Sequence, residues 1–218
     1  MKERGMIFNA EMVRAILDGR KTQTRRLIKW KQTRFTEIGE REDGSKWPWS
    51  EDAEHTCDFW HPCPFGAVGD RIWVREAYRF PASLDDVSPT GVGEMAVATG
   101  YRKPWAPTFY EFTGTFSDGW KGFETPPKVS DAGKLRPSIH MPRWASRILL
   151  EITNVRVERL RSMSQGDARA EGVIAASGPM EAGLAFRELW DSIYGEESWK
   201  ANPWVWVIEF KRVEGGAA

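Results

Sequence analysis

From Ile148 to Leu160 the chain nearly alternates. Ile148, Leu150, Ile152, Val155, Val157 and Leu160 stand among Glu151, Thr153, Asn154, Arg156, Glu158 and Arg159. A period of two places an apolar set on one face of an extended chain. The parity changes at Thr153-Asn154, so the pattern predicts one strand over 147–160, bent at that point. A strand this long needs neighbours. Thr22–Ile28, Arg71–Tyr78, Phe109–Phe116 and Pro203–Val213 carry β-branched or aromatic strand signals. Helical spacing appears at Ala10–Asp18, with Asn9 as N-cap and Gly19 as stop, at Gln165–Ala170 after Ser164, and at Met180–Ile193. Strands and short helices do not alternate regularly, which counts against a doubly wound sheet. The predicted class is α+β, built on a small mixed β-barrel with short flanking helices. Residues 31–62 and, apart from Phe109–Phe116, 79–134 look irregular and are predicted to be insertions or long loops within a single domain, 1–218.

The chain has 218 residues, with Lys plus Arg and Asp plus Glu both at 31. Zero net charge excludes a generally polycationic nucleic-acid coat and an acidic solvating chain. The charges are nevertheless segregated. Arg20, Lys21, Arg25, Arg26, Lys29, Lys31 and Arg34 form a run with no acidic residue, and 37–58 is predominantly acidic. A second basic stretch covers 134–169. Blocks of this kind create local fields even when the total is nil. No apolar run approaches the ~20 residues a bilayer needs, and the first residues lack a signal-peptide pattern. Two cysteines, Cys57 and Cys63, cannot make a disulfide framework. A cytoplasmic protein with no membrane partner is expected.

Three clusters carry chemistry. In Gly19-Arg-Lys-Thr-Gln-Thr-Arg-Arg26, Lys21 can serve as a base if burial or nearby cations depress its pKa, and Arg20, Arg25 and Arg26 supply cations. In a regular strand positions 21 and 24 face opposite ways, so Lys21 meets Thr24 only from a turn before the strand. The bland alternative is an exposed basic hairpin. In Lys134–Arg147, two prolines fix an extended stretch bearing His140, Arg143, Trp144 and Arg147, a set suited to an unpaired base and its phosphate, or else a rigid loop with Trp144 in the core. His55, Cys57, His61 and Cys63 are four zinc-type ligands within nine residues, but their spacing fits no common finger or knuckle, and no metal or other cofactor is expected. Glu171 ends a short helix and carries almost no signal alone.

Taken together, Gly19-Arg-Lys-Thr-Gln-Thr-Arg25, Gly69-Asp-Arg-Ile-Trp-Val-Arg-Glu76, Arg136–Arg147, Asn202–Val207 and Trp206-Val-Ile-Glu-Phe210 resemble an ASCH domain of the phage- and prophage-encoded branch. The resemblance implies a PUA-like β-barrel. It also implies a candidate activity, since similar bacterial proteins are amidohydrolases that release the acetyl group of N4-acetylcytidine. Their lysine base and threonine nucleophile fall on Lys21 and Thr24, and their acid falls best on Glu171, with Glu76 as rival. The chain is about twice as long as those enzymes, mostly through 31–134, and Gly5 stands where many relatives have proline.

The expected mechanism has Lys21 deprotonate Thr24, Thr24 attack the acyl carbonyl, and Glu171 protonate the leaving amine. Arg25, Arg26 or a backbone N–H would stabilise the oxyanion. Trp73 or Trp144 would stack on the base, with His140 and Arg143 reading its edge or the ribose. The partner would be a nucleoside or a single-stranded or modified RNA. The alternatives are a non-catalytic RNA-binding module, a ribonuclease using Lys21 and His140, and a structural phage protein.

Overall fold

The computed structural model describes residues 1–29, 37–52, 57–117, 128–174 and 181–213. In chain order the elements are β1 (Glu3–Ile7), α1 (Ala10–Leu17), β2 (Gln23–Leu27), β3 (Glu37–Glu40), β4 (Lys46–Asp52), β5 (Cys57–Trp60), β6 (Arg71–Arg75), β7 (Tyr78–Arg79), α2 (Pro89–Ala98), β8 (Phe109–Tyr110), β9 (Thr115–Phe116), β10 (Leu149–Arg159), α3 (Gln165–Ala170), α4 (Ala182–Tyr194), α5 (Glu196–Lys200) and β11 (Trp204–Arg212). The class is α+β. No sheet closes into a barrel among the described residues. No helix among them is long and apolar enough to cross a membrane.

The chain packs as two compact units. The first draws on residues 1–2, 15–71 and 151–212. Its main sheet runs β10-β11-β2. β11 and β2 are antiparallel, with Thr24 opposite Ile208, Arg25 opposite Val207 and Arg26 opposite Trp206. Leu160, Ala168, Ala182, Phe186, Trp190, Val205 and Val207 form one buried cluster, so Ala168 of α3 and Ala182, Phe186 and Trp190 of α4 cover this sheet, while Leu184 and Ile193 of the same helix are exposed.

The same unit holds an antiparallel β3-β4-β5 sheet where the sequence predicts an irregular insertion. Its order comes from aromatic packing. The Trp49 and Trp60 rings lie 6.4 Å apart, the Arg41 guanidinium sits 4.1 Å from the Trp47 ring and 5.2 Å from the Trp60 ring, and the Trp47 ring meets Trp206 edge-on at 5.0 Å. Such contacts join residues far apart in sequence and leave no local period to read.

The second unit draws on residues 3–14, 72–150 and 213. β1 lies beside β6, and the Val74 N–H of β6 donates to the Ile148 carbonyl at 3.0 Å. β7, β8 and β9 form a small sheet. The single strand predicted over Phe109–Phe116 is instead a tight hairpin that turns at Gly114, whose φ is +68°. α2 lies inside the predicted 79–134 loop, with the Ser88 hydroxyl accepting from the Gly91 N–H at 3.1 Å and Pro89 in the first turn. Tyr78, Phe80, Val92, Ala106, Tyr110, Met141 and Ala145 are the core of this unit.

Candidate functional site

Helix α1 ends where Gly19 takes φ +75°, and the Lys21 N–H then donates back to the Ala15 carbonyl at 3.0 Å. β2 begins only at Gln23, so Lys21 stands before the regular strand, but its ammonium turns to Glu171 and no hydrogen bond joins it to Thr24. Opposite it, Ser164 and Asp167 close a reciprocal capping box at the start of α3. Glu171 is the C-cap of that helix. Lys21 and Glu171 pair as an isolated antiparallel bridge, and the Thr22 N–H donates to the Ala170 carbonyl at 2.8 Å.

This arrangement places a buried ion cluster. Lys21 Nζ donates to Glu171 Oε2 at 2.7 Å and to the Glu171 carbonyl at 2.9 Å. The two side chains are 0% and 1% exposed. Arg25 Nη1 donates to the other carboxylate oxygen, Oε1, at 3.1 Å, while its Nη2 reaches Glu158 Oε2 at 3.3 Å and Asp167 Oδ1 at 3.6 Å. Arg25 is thus committed to three carboxylates. Gln23 Nε2 donates to the Asp167 carbonyl at 3.0 Å. Gln23 and Arg25 therefore share one face of β2, and buried Thr24 belongs to the other face by strand alternation.

Loss of water dominates the electrostatics. Burial lowers the Lys21 pKa below the ordinary lysine value, the charge and hydrogen bond of Glu171 oppose that, and the Arg26 and Arg25 charges lower it further. At Asp167 burial pushes the pKa up, but hydrogen bonds from the Ser164 hydroxyl and N–H and the charge of Arg25 outweigh it and hold the group at about 2.

Several participants escape a reading of the sequence. Arg156 bridges Glu158 at 2.5 Å, Asp167 at 2.9 Å and Glu209. Its only local signal is that Arg156 and Glu158 are two apart on one strand face. Gly172 is a second case. Its φ is +88°, and a Cβ there would lie 2.7 Å from Ala15 Cβ and 2.8 Å from Lys21 Cβ. Gly172→Ala combines a left-handed penalty with overpacking, so it is expected to lower stability by about 2–4 kcal/mol in urea unfolding.

Arg26, also singled out by sequence, lies on β2 opposite Trp206 in the first unit, whereas Trp73, Glu76, His140, Arg143 and Trp144 lie in the second. Trp73 is buried, with the Arg75 guanidinium 4.6 Å from its ring, and Gly5 leaves room for that ring, since a Cβ there would come within 2.6 Å of it. Gly5 thus serves close packing against the Trp73 ring. Glu76, 1% exposed, accepts from Arg147 Nε and Nη2, both at 2.9 Å. Burial raises the Glu76 pKa, and the Arg147 hydrogen bond and charge oppose the rise. The His140 carbonyl accepts from the Tyr78 hydroxyl at 2.9 Å, while its ring is exposed. Arg143 Nε donates to Glu3 at 2.7 Å. Trp144 stacks on Phe80 at 5.4 Å and 6° between planes.

Of the zinc-type residues, His61 Nε2 lies 2.9 Å from the Ser50 hydroxyl and Cys63 is buried and in no disulfide. His55 and the Cys57 side chain lie outside the described residues. Among the described residues no group of three or more His, Cys, Asp or Glu is placed to hold a metal. Comparison with family models, with curated proteins and with solved structures finds no match to this chain.

Proposed function

We propose that the protein is an amidohydrolase that removes an acyl group from a modified nucleobase such as N4-acetylcytidine, and that its first unit is built on the PUA-like pattern that the ASCH resemblance implies. The observation that carries this reading is the water-excluded Lys21–Glu171 pair, 2.7 Å between Nζ and Oε2. One proton shared across that bond gives either an ion pair or a neutral amine facing a neutral carboxyl group. The second form supplies both a base and an acid, and burial, which lowers the Lys21 pKa, makes the amine easier to reach.

Glu171 takes two of the three ammonium donors, so the reaction requires Lys21 to swing its amine to Thr24 Oγ1, a contact that the resting arrangement does not make. In the acylation step Thr24 Oγ1 passes its proton to the Lys21 amine and bonds to the acyl carbon. The bond from that carbon to the exocyclic nitrogen breaks, and Glu171 protonates the leaving amine. The pair is then ionic. Water next attacks the Thr24 ester and gives a proton to Glu171, and Lys21 returns its proton to Thr24. Arg25 is not the oxyanion donor in this scheme, because its guanidinium is already spread over Glu171, Glu158 and Asp167.

The test is cytidine release from N4-acetylcytidine. Activity is expected to fall with rising pH on a group titrating below the ordinary lysine value of 10.5, because loss of the proton shared with Glu171 leaves no acid for the departing amine. Lys21→Arg keeps the charge that pairs with Glu171 but cannot act as a base, so it should fold and lose about 10²-fold or more of the rate. Full activity in Thr24→Val, or none in the wild type, rejects the proposal.

A further inference from the structure

A groove in the second unit, distant in sequence from Lys21 and Glu171, has a composition of its own. It is open, about 170 Å³, and lined by Leu84, Val92, Met95, Ala96, Tyr101 and Trp105 among others. Thr99, the C-cap of α2, also lines it, and its hydroxyl is spent on the Met95 and Ala96 carbonyls at 3.0 and 2.9 Å. The remaining walls are apolar and aromatic. Tyr101 stacks on Trp105, with centroids 5.5 Å apart and planes 18° from parallel. Tyr101 is 40% and Met95 48% exposed, so the stacked pair presents ring surface to solvent.

The platform is fixed by its backbone. α2 ends in a left-handed Gly100, φ +101°. The Gly100 N–H donates to the Val97 carbonyl at 3.1 Å, and the Tyr101 N–H donates to the Ala96 carbonyl at 3.0 Å. This two-bond helix stop holds Tyr101 against the last turn of α2. At the other end Trp105 runs into Ala106 and Thr108, which are tied by the Thr108 hydroxyl to the Ala106 carbonyl at 3.0 Å and by the Ser117 N–H to the Thr108 carbonyl at 2.7 Å.

Between the two rings the chain carries Arg102 and Lys103, both exposed and neither in an ion pair among the described residues. Asp85, next to the groove residue Leu84, already accepts from the Lys134 N–H at 2.8 Å. An exposed Tyr101 ring stacked on a half-buried Trp105, an apolar slot beside them and two uncommitted cations on the connecting chain match one ligand chemistry. A base has a planar face to stack and little need of hydrogen bonds, and its phosphates supply the complementary charge.

We infer that the Tyr101–Trp105 segment is a binding site for single-stranded nucleic acid, in which a base stacks on Tyr101 over the groove and Arg102 and Lys103 hold the adjoining phosphates. The inference does not depend on the deacylation reading, because it uses none of the residues assigned to that chemistry.

The experiment is fluorescence anisotropy with labelled single strands of about ten nucleotides, as RNA and as DNA, against the wild type, Tyr101→Ala and the double variant Arg102→Ala/Lys103→Ala, with folding followed by circular dichroism. The wild type is expected to bind both single strands and a blunt duplex of the same sequence far less well. Tyr101→Ala should weaken binding about 10-fold or more, as loss of one stacked base does. The double variant should reduce the slope of log affinity against log salt by about 1.4, the share of two phosphate contacts on a single strand. No binding by the wild type at low salt, equal affinity in folded Tyr101→Ala, or equal affinity for the duplex overturns the inference. So does concentration-dependent self-association that Tyr101→Ala abolishes without any oligonucleotide binding, which would assign the groove to a second copy of the chain. Cytidine release from free N4-acetylcytidine is read on the same variants, so failure of one proposal leaves the other measurable.

Discussion

Glu171→Ala is expected to destabilise the first unit by about 3–5 kcal/mol at neutral pH, a fall on the order of 10 °C in its Tm. The carboxylate divides its two oxygens between Lys21 and Arg25, and both cationic side chains are 0% exposed. Removing it strands two charges where water cannot reach them. Arg25 keeps Glu158 and Asp167, whereas Lys21 keeps only the Glu171 backbone carbonyl. Most of the loss therefore falls on Lys21, and Lys21→Met in the Glu171→Ala background should recover much of it. The pH dependence gives a second signature. Burial already places the folded-state pKa of Lys21 below its unfolded value, and loss of Glu171 removes the two influences that oppose burial. Between the lowered folded value and 10.5 the unfolded chain binds the extra proton, so stability in that window rises with pH. The gap between Glu171→Ala and wild type should thus narrow as pH is raised toward 10.5, as followed by urea unfolding. A gap independent of pH would mean that Lys21 keeps its charge through other contacts.

What the sequence discloses here depends on how local the cause is. The alternation around Ile148–Leu160 marks β10, and the Ser164 capping box marks α3 to the residue, because each pattern lies within one element. β4 shows the opposite case. It carries Pro48 and a polar end, both poor strand signals, and stands beside β5 through Trp49 and Trp60, with Arg41 from the turn after β3 packed on Trp60. α2 has a visible start at Ser88-Pro89, but Gly91 and Gly93 inside it weaken the helical signal. Gly93 is needed there because a Cβ would come within 2.9 Å of both Pro104 and the Trp144 indole nitrogen. The candidate site divides in the same way. The turn and cations around Lys21 are legible as a cluster, but its partner lies 150 positions away at an otherwise ordinary helix end. Nothing local to Glu171 distinguishes it from a solvated carboxylate. The neighbouring Arg25–Glu158–Asp167–Arg156 network is assembled from three elements and is visible only once they pack.

The second unit carries a pair with the opposite sign. Arg147→Met is expected to cost about 3–5 kcal/mol at neutral pH, since it leaves a buried carboxylate without its cation. Arg147 grips both oxygens of Glu76 at 2.9 Å, donates to the Thr115 and Thr113 hydroxyls at 2.9 Å each, and lies 4.0 Å from the centre of the Tyr110 ring. Methionine fills part of that volume and supplies no charge. Burial raises the Glu76 pKa above its ordinary 4.5, and the Arg147 hydrogen bond and charge are what restrain it. Without them the folded protein holds the proton to higher pH than the unfolded chain does. The folded state then binds more protons in the window above 4.5, so stability falls as pH rises through that window. The deficit of Arg147→Met should be largest at neutral and alkaline pH and shrink as pH falls toward 4.5, where Glu76 is increasingly protonated in both states. The remainder at low pH measures the lost contacts to Tyr110, Thr113 and Thr115. Glu76→Gln in the same background removes the stranded charge directly and should flatten the pH dependence. A deficit that stays constant from neutral pH to 4.5 would show that packing around Tyr110, and not the Glu76 charge, sets the cost.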